Sequence, residues 1–225
     1  MSERTEDTPT SKRAARSERR RNQTRVEILD AARALVLNSG WAGFSLSAVA
    51  DELGLTKPAL YYYFRSKEAL TFELVLAEWL ADATAVQAAV NATDNGADAL
   101  EAMMRTLFGR YRERIGMFTL AYKTTFPGDF TKLLGADQVD RLRPTNDMLY
   151  GGAELRLRAD QRAGRFPKKR DPRRFAFTAL MAVVGVLTMK ALTEPAGDPL
   201  IHTDDDLIDD LCLTFRSVAS QKGKR

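Results

Sequence analysis

The stretch GLTKPALYYYF, residues 54–64, contains a glycine, a threonine, a lysine and a proline, and three consecutive tyrosines follow after two further residues. Gly54 suits the positive φ that ends a helix, and Thr56 can cap the start of the next one. Leu60 and Phe64 are four residues apart, so they share one face of that helix. The pattern predicts a very short helix whose buried side is formed by these two residues.

The three tyrosines cannot all share that buried side. At 3.6 residues per turn, Tyr61, Tyr62 and Tyr63 sweep about 300° of the helix circumference. We expect Tyr61 on a flank, where its hydroxyl reaches a phosphate, Tyr62 facing outward, and Tyr63 between the outside and the core. The alternative is that the tyrosines belong to the core of a small bundle, with only their hydroxyls in water.

The residues before this stretch predict two more helices. Apolar residues at helical spacing from Thr24 onward form the first, which stops at the NSG sequence of residues 38–40. Ser45 can cap the second, LSAVADEL, in which Ala50 is small where two helices cross. Two short helices joined by a glycine turn and packed on a preceding helix form a helix-turn-helix, whose second helix enters the major groove of DNA.

This arrangement divides the residues that would face DNA into two groups. Thr56, Ser45 and Lys67 lie at the starts of three helices, where phosphates are favoured, while Lys57, Ala59, Tyr62 and Ser47 are left to read bases. The residues predicted to contact DNA are Ser45, Ser47, Thr56, Lys57, Pro58, Ala59, Tyr61, Tyr62, Tyr63 and Lys67.

The order of these features resembles the N-terminal domain of the TetR family of bacterial transcriptional regulators over roughly residues 24–72. Tyr63 stands where the family commonly has His, and Ser45 where it often has Thr. The residues that carry the resemblance are Gly40, Phe44, Ser45, Val49, Ala50, Gly54, Leu55, Thr56, Leu60, Tyr61, Phe64, Lys67, Glu68 and Leu70.

The rest of the chain also reads as helices. A long helix follows Ser66, NATDNG (residues 91–96) interrupts the pattern, and residues 137–163 form a helix that Pro144 and the Gly151–Gly152 pair should bend or split. No segment shows the period-two alternation of a strand. We predict an all-α protein with a disordered basic arm (1–22), a helix-turn-helix domain (23–70) and a larger α-helical ligand-binding and dimerisation domain (71–221).

Charge is concentrated at the start of a chain of 225 residues. Residues 1–25 hold eight basic and four acidic residues, which equals the net charge of +4 for the whole sequence. A local basic cluster favours a polyanionic partner. The arm either lies along phosphates or a flanking minor groove, or serves as a solvated tail, and the sequence does not distinguish these alternatives.

Composition restricts the other classes. One cysteine, Cys212, excludes an internal disulfide, and the polar N-terminus shows no secretory signal, so we expect a cytoplasmic protein. The longest apolar stretch, residues 175–189, has 15 residues, whereas a membrane span needs about 20. We therefore interpret it as a buried helix.

The family resemblance implies a homodimer whose last two helices pair with those of a partner. The helix of residues 175–192 is apolar on all sides, and the last helix carries a broad apolar stripe, which agrees with this expectation. The residues expected at the dimer interface are Ala179, Ala182, Val183, Val186, Leu207, Leu211, Phe215 and Val218.

The resemblance also implies a pocket for a small effector among the middle helices. Methionine and aromatic side chains make an adaptable apolar wall, which favours a hydrophobic ligand, whereas ordinary core packing is the favoured alternative for any single residue. The expected lining residues are Trp79, Met103, Met104, Leu107, Phe108, Phe118, Tyr122, Phe126 and Met148.

No catalytic or metal-binding constellation is visible in the sequence. The only histidine, His202, precedes an acidic run, and acids in a first turn complement the helix dipole. We expect no cofactor, no metal and no enzymatic activity. The family resemblance implies a ligand-responsive repressor that binds a pseudo-palindromic operator. The alternatives are a non-specific nucleic-acid-binding protein or an all-α enzyme that retains a DNA-binding head.

Overall fold

The computed structural model describes residues 9–122, 135–193, 197 and 202–220. The prediction of an all-α fold is confirmed: the described ranges are helical with short connections and contain no strand. The chain divides into two compact units after Leu74. The predicted boundary at residue 70 lies close to this division, which falls inside a continuous helix.

The first unit contains three helices and the start of a fourth. These are α1 (Pro9–Gly43), α2 (Leu46–Glu52), α3 (Lys57–Tyr63) and α4 (Lys67–Asn91), which continues past Leu74. Within α1, Gly40 has φ +66° and ψ −178°, so regular helix ends at the predicted NSG stop. The tight core that holds these helices together is formed by Ile28, Ala32, Phe44, Val49, Ala50, Leu60, Phe64 and Leu70.

Helix α1 begins earlier than expected. We predicted a disordered arm over residues 1–22, but residues 9–22 are helical. Residues 13–22 are exposed, so burial does not hold this part of the helix. Alanine and arginine are among the strongest helix formers, and this stretch contains Ala14, Ala15 and five arginines, so intrinsic propensity explains the extension of a helix already nucleated downstream. Residues 1–8 lie outside the described ranges.

The second unit is a bundle built around one central helix. Its further helices are α5 (Gly96–Tyr111), α6 (Ile115–Tyr122), α7 (Ala136–Asn146), α8 (Gly152–Arg162), α9 (Pro172–Thr193) and α10 (Asp204–Ala219). Helix α5 packs against α8, α9 and α10. This arrangement follows from its apolar residues, since Ala99, Met103, Leu107 and Tyr111 recur every four positions and are all buried.

The predicted disruption between residues 137 and 163 takes the form of a π-helical turn. Residues Asp147–Gly151 form that turn between α7 and α8. Pro144 lies inside α7 and lacks the amide that would extend the regular ladder. Gly152 then allows close packing, because a Cβ there would lie 2.9 Å from Cγ1 of Val90.

Helix α9 is the one helix in the described ranges that is long and apolar enough to cross a membrane. Packing within the second unit explains this apolar composition without a membrane. One side, which includes Phe175, Ala179, Val183 and Leu187, is buried in the core of the second unit, and α9 packs against α5, α6 and α8. The prediction of a buried apolar helix therefore holds for one face of α9.

Candidate functional site

The start of each helix in the helix-turn-helix region is capped by a hydroxyl side chain. The amide of Ala48 donates to Oγ of Ser45 at 3.1 Å, and the amide of Ala59 donates to Oγ1 of Thr56 at 3.3 Å. Ser66 caps α4 in the same way. These caps satisfy amides that a helix leaves unpaired, and they confirm the predicted starts of all three helices.

The turn between α2 and α3 is closed by backbone hydrogen bonds. The amide of Leu55 donates to the Ala50 carbonyl at 2.9 Å, and the amide of Gly54 donates to the Asp51 carbonyl at 3.2 Å. Gly54 has φ +62°, as predicted. Together these features form a Schellman motif, which fixes the angle at which α3 leaves α2.

The tyrosines lie on the outer side of α3. Tyr61 is 50% exposed and Tyr62 is 67% exposed, while Tyr63 is half-buried with its ring edge-on to that of Tyr62. Leu60 and Phe64 occupy the buried side, as expected. The alternative in which all three tyrosines form core is therefore wrong for Tyr61 and Tyr62.

The predicted DNA-contacting residues lie together on the first unit and divide by exposure. Ser45, Thr56, Lys57, Pro58, Tyr61, Tyr62 and Lys67 are exposed, and Ser47, Ala59 and Tyr63 are half-buried.

Three basic side chains of this unit lie over aromatic rings. Nζ of Lys67 is 5.2 Å from the Phe44 ring centroid, and Cζ of Arg21 is 5.5 Å from that of Tyr62. Arg25 lies 4.5 Å from the Phe64 centroid and forms an ion pair of 3.1 Å with Glu73. Arg21 and Arg25 were not predicted to belong to this surface. Their basic character was visible, but their partners are distant in sequence.

The candidate effector residues form part of one apolar core in the second unit. Met103, Met104, Leu107, Phe108 and Phe118 are buried there, and Tyr122 and Met148 pack against them. Trp79 is half-buried and lies 6.1 Å from the Tyr122 ring, and its Nε1 donates to the Ala121 carbonyl at 3.0 Å. Phe126 lies outside the described residues. The structure thus brings most of this set together.

A buried carboxylate beside these aromatics was not anticipated. Asp82 is fully buried, and it accepts hydrogen bonds from Nε of Arg110 and the hydroxyl of Tyr111, both at 2.5 Å, and from the hydroxyl of Tyr122 at 3.1 Å. Three donors from α5 and α6 therefore converge on one side chain of α4. The sequence held a signal: Glu78, Asp82, Val86 and Val90 recur every four residues and all are buried.

Burial is the main cause of the shifted pKa values in this cluster. It raises the pKa of the Asp82 carboxyl above its ordinary 3.8, although the hydrogen bonds from Tyr111 and Arg110 act in the opposite direction. Burial and the nearby carboxylate also raise the pKa of both Tyr111 and Tyr122, so both phenols stay protonated and remain donors at neutral pH. The cluster thus places a buried carboxylate and its three hydrogen-bond donors beside the apolar side chains of the second unit.

The acidic run after His202 has a structural role. Thr203 and Asp206 form a capping box at the start of α10. Asp204 pairs with Lys190 at 2.8 Å, and Asp205 pairs with Arg112 at 2.7 Å. In the part of the chain that the structure describes, no group of three His, Cys, Asp or Glu side chains is arranged to hold a metal ion.

The expected dimer residues need a correction. Ala179 and Val183 are fully buried inside their own subunit because they lie on the face of α9 that packs into the core. Ala182, Val186, Leu207, Leu211, Phe215 and Val218 are half-buried. The exposed face of α9 instead carries four large apolar side chains that were not predicted there, and α10 carries one: Phe177, Met181, Met189, Leu192 and Leu213. An all-round apolar helix does not reveal from its sequence which side faces inward.

Comparison with known proteins agrees with the geometry of the first unit. The N-terminal domain described as "Bacterial regulatory proteins, tetR family" matches residues 28–74. No curated protein matches the chain by sequence.

Solved structures share the fold along most of the chain. A protein of unknown function from Rhodococcus sp. RHA1 is 22% identical, with a TM-score of 0.69 over 88% of this chain and 95% of its own. The transcriptional regulator FadR from Bacillus subtilis, in complex with stearoyl-CoA, is 12% identical, with a TM-score of 0.68 over 86% and 98%. A TetR family transcription regulator from Marinobacter aquaeolei VT8 is 17% identical, with a TM-score of 0.63 over 89% and 97%.

The matched domain contains the capped helices, the glycine turn and the exposed tyrosines, and most of the chain shares its fold with solved transcriptional regulators. Residues 28–74 of this chain thus match the N-terminal domain of the tetR family of bacterial regulatory proteins, and the chain is similar in fold to solved TetR family transcription regulators.

Proposed function

We propose that this protein is a homodimeric, ligand-responsive repressor that binds a pseudo-palindromic operator in the cytoplasm and is released by a small hydrophobic effector. The observation that carries the proposal is the presentation of α3, whose exposed Tyr61 and Tyr62 stand on a helix fixed by a cap, a Schellman turn and two buried anchors. A rigid helix with an exposed polar and aromatic face suits insertion into a major groove about 12 Å wide.

Within this proposal, the side chains of the first unit divide into two roles. Tyr61 and Lys67 contact phosphates and set the register of α3 on the duplex. Tyr61 is exposed on α3 itself, and Lys67 is exposed at the start of α4. Lys57 and Tyr62 face base edges. Ser45, Thr56 and Pro58 approach the DNA backbone at the starts of α2 and α3. Ser47, Ala59 and Tyr63 are half-buried, and the exposed parts of their side chains contact the DNA.

The exposed apolar face of α9 supports the homodimer. Phe177, Met181, Gly185 and Met189 follow each other at four-residue steps, and all are exposed. A monomer would leave this stripe in water, whereas a second copy of the same face would cover it. A homodimer with two-fold symmetry presents two copies of α3. These copies would contact half-sites about 34–36 Å apart, which is one turn of DNA.

The apolar core of the second unit supports the effector. Methionines and aromatic rings can repack around a ligand, and the Asp82 cluster gives a polar reference point beside them. The effector causes release if it prefers a conformer whose two DNA heads do not fit the operator spacing. FadR from Bacillus subtilis, of similar fold, was solved with stearoyl-CoA, so a long acyl chain is the first chemistry to test.

The test of DNA recognition is a selection of fragments from the source genome by the purified protein, followed by titration on the selected site and on a scrambled duplex. We expect the selected site to be preferred by at least about 10³-fold at physiological salt, and to be a pseudo-palindrome. Equal affinity for both duplexes would favour a non-specific nucleic-acid-binding protein.

The test of the effector compares stearoyl-CoA, stearate and coenzyme A on the complex with the selected site. We expect the two compounds with an acyl chain to weaken DNA binding and coenzyme A alone to have no effect. Release by coenzyme A alone would place recognition in the polar headgroup. If none of the three acts, the acyl-chain assignment is wrong while the DNA assignment stands.

A further inference from the structure

The helical start of α1 forms a basic surface beside α3. Residues 13–21 hold five arginines and one acid, and all of them are exposed. At 100° per residue, Arg13, Arg16 and Arg20 fall within about 60° of one another and form a stripe about 10 Å long. Among the described residues, none of these three guanidinium groups pairs with an acidic side chain, and all three arginines are exposed to solvent.

One contact fixes where this stripe lies. Cζ of Arg21 is 5.5 Å from the centroid of the Tyr62 ring, the most exposed aromatic ring of α3. One turn further on, Arg25 is anchored by Phe64 and by Glu73. Arg20 is adjacent to Arg21 and points about 100° away around the helix. The stripe therefore flanks the outer face of α3.

We propose that Arg13, Arg16 and Arg20, the N-terminal stripe, form an ordered helical clamp on the phosphate backbone of duplex DNA next to the half-site bound by α3. This inference rests on the proposed DNA-binding function and adds a second contact surface to it. A stripe about 10 Å long matches the axial rise of three nucleotides at about 3.4 Å each. Arginine suits this role, because its planar donor fork binds phosphate oxygens in pairs.

Order distinguishes this clamp from a mobile basic tail. A tail contributes only its charge, so its effect does not depend on helical structure. A helix held by Arg21 and Arg25 presents its charges at fixed positions, and binding does not have to restrict a flexible chain. Loss of helical structure with every charge kept should therefore weaken the clamp.

The experiment measures the affinity of the full chain against salt concentration on two duplexes, one ending at the half-site edges and one about ten base pairs longer on each side. We expect the wild type to prefer the longer duplex. The variant R13Q/R16Q/R20Q keeps helix-forming side chains and should lose that preference, and its salt slope on the long duplex should fall by about 0.9 for each phosphate that the variant no longer neutralises. Its preference for the operator over a scrambled long duplex should not change.

Two further variants test the alternatives. R162Q/K168Q/K169Q removes the same charge from exposed positions of the second unit and should retain the wild-type slope and length preference. S17P keeps every charge but breaks the helix, and we expect it to behave like the triple arginine variant. If S17P binds like the wild type, the segment acts as a tail and the ordered clamp is wrong. An unchanged slope in R13Q/R16Q/R20Q overturns the proposed binding of phosphates by the stripe.

The two proposals fail in different ways. If the wild type shows no preference for any genomic site, the proposed regulatory function is wrong, and the salt slopes on random duplex still report on the clamp. If site preference is intact and the slopes of all variants agree, only the clamp is wrong.

Discussion

The hydroxyl of Tyr111 donates a hydrogen bond of 2.5 Å to Oδ2 of Asp82, and both side chains are buried. This hydrogen bond joins α4 to α5 through a group whose burial would be costly without partners. Arg110 takes the other carboxylate oxygen, and Tyr122 shares Oδ2 from α6. The buried carboxylate of Asp82 thus joins three helices, α4, α5 and α6, through side-chain hydrogen bonds.

Removal of the Tyr111 hydroxyl should therefore destabilise the fold more than removal of the Tyr122 hydroxyl. Tyr111→Phe loses a short bond to a charged group and should lower the free energy of unfolding by about 1.5–3 kcal/mol. Tyr122→Phe loses a longer bond and leaves two donors in place, so we expect about 1 kcal/mol. Urea unfolding measures both, and a larger loss for Tyr122→Phe would contradict the ranking.

The Asp82 carboxyl should also give stability a distinct pH dependence. Because burial raises its pKa above 3.8, the folded state holds this proton more tightly than the unfolded state. Its contribution is fully present below pH 3.8 and is lost as pH rises through the folded-state pKa. Asp82→Asn lacks this titration, so stability of the wild type relative to the variant should fall with rising pH above 3.8. Urea unfolding across that range provides the measurement, and a constant difference would contradict it.

The turn before α3 should tolerate no side chain without strain. Gly54 has φ +62°, and a Cβ there would meet nothing within 4 Å, so any cost of Gly54→Ala comes from the backbone conformation. We expect a loss of about 1–2 kcal/mol in unfolding free energy. Gly109→Ala is the matched control, since it lies in α5 with open space around it and should stabilise by about 0.5–1 kcal/mol. The same sign for both changes would argue against this explanation.

The exposed residues of the DNA-binding unit should separate by their effect on specificity. Tyr61→Phe and Lys67→Ala should weaken binding to the selected site and to a scrambled duplex by similar factors, because both side chains are proposed to hold phosphates. Changes at Lys57 or Tyr62 should alter which sequence is preferred. Affinities of each variant on both duplexes give the result. Equal loss on every duplex for all four changes would refute the division of roles.

The exposed face of α9 should control subunit association. Met181→Asp places a charge in the proposed interface and should shift the protein toward monomer in sedimentation experiments at micromolar concentration. Leu155→Asp is the control, because Leu155 is 66% exposed and lies on a different helix, α8. A dimer that survives Met181→Asp, or one that dissociates equally in Leu155→Asp, would exclude this face as the interface.

Local features of the helix-turn-helix region could be predicted from the sequence. The caps at Ser45 and Thr56 and the positive φ of Gly54 depend on residues within a few positions of each other, and the structure contains all of them. The same holds for the outward position of Tyr62 on a helix anchored by Leu60. The predicted helices of the second unit were also found, including the disruption between α7 and α8.

Interactions between distant residues could not be predicted in this way. The sequence marked the first 22 residues as basic, but only packing of Arg21 on Tyr62 and of Arg25 on Phe64 shows where an ordered basic helix lies. Asp82 was predicted as part of a long helix, and its donors lie 28 to 40 residues further along the chain.

The amino-acid sequence by itself determined most of the helices, the caps and the turn of the helix-turn-helix region, and the family resemblance, because capping, turn geometry and apolar periodicity act over a few residues. Tertiary structure decided which face of α9 is buried and which is exposed, so that Ala179 and Val183 belong to the core and Phe177 and Met181 to the surface. It also decided that a carboxylate is buried among aromatic rings. Both outcomes depend on which helices pack together, and a helix that is apolar all round carries no local signal for that choice.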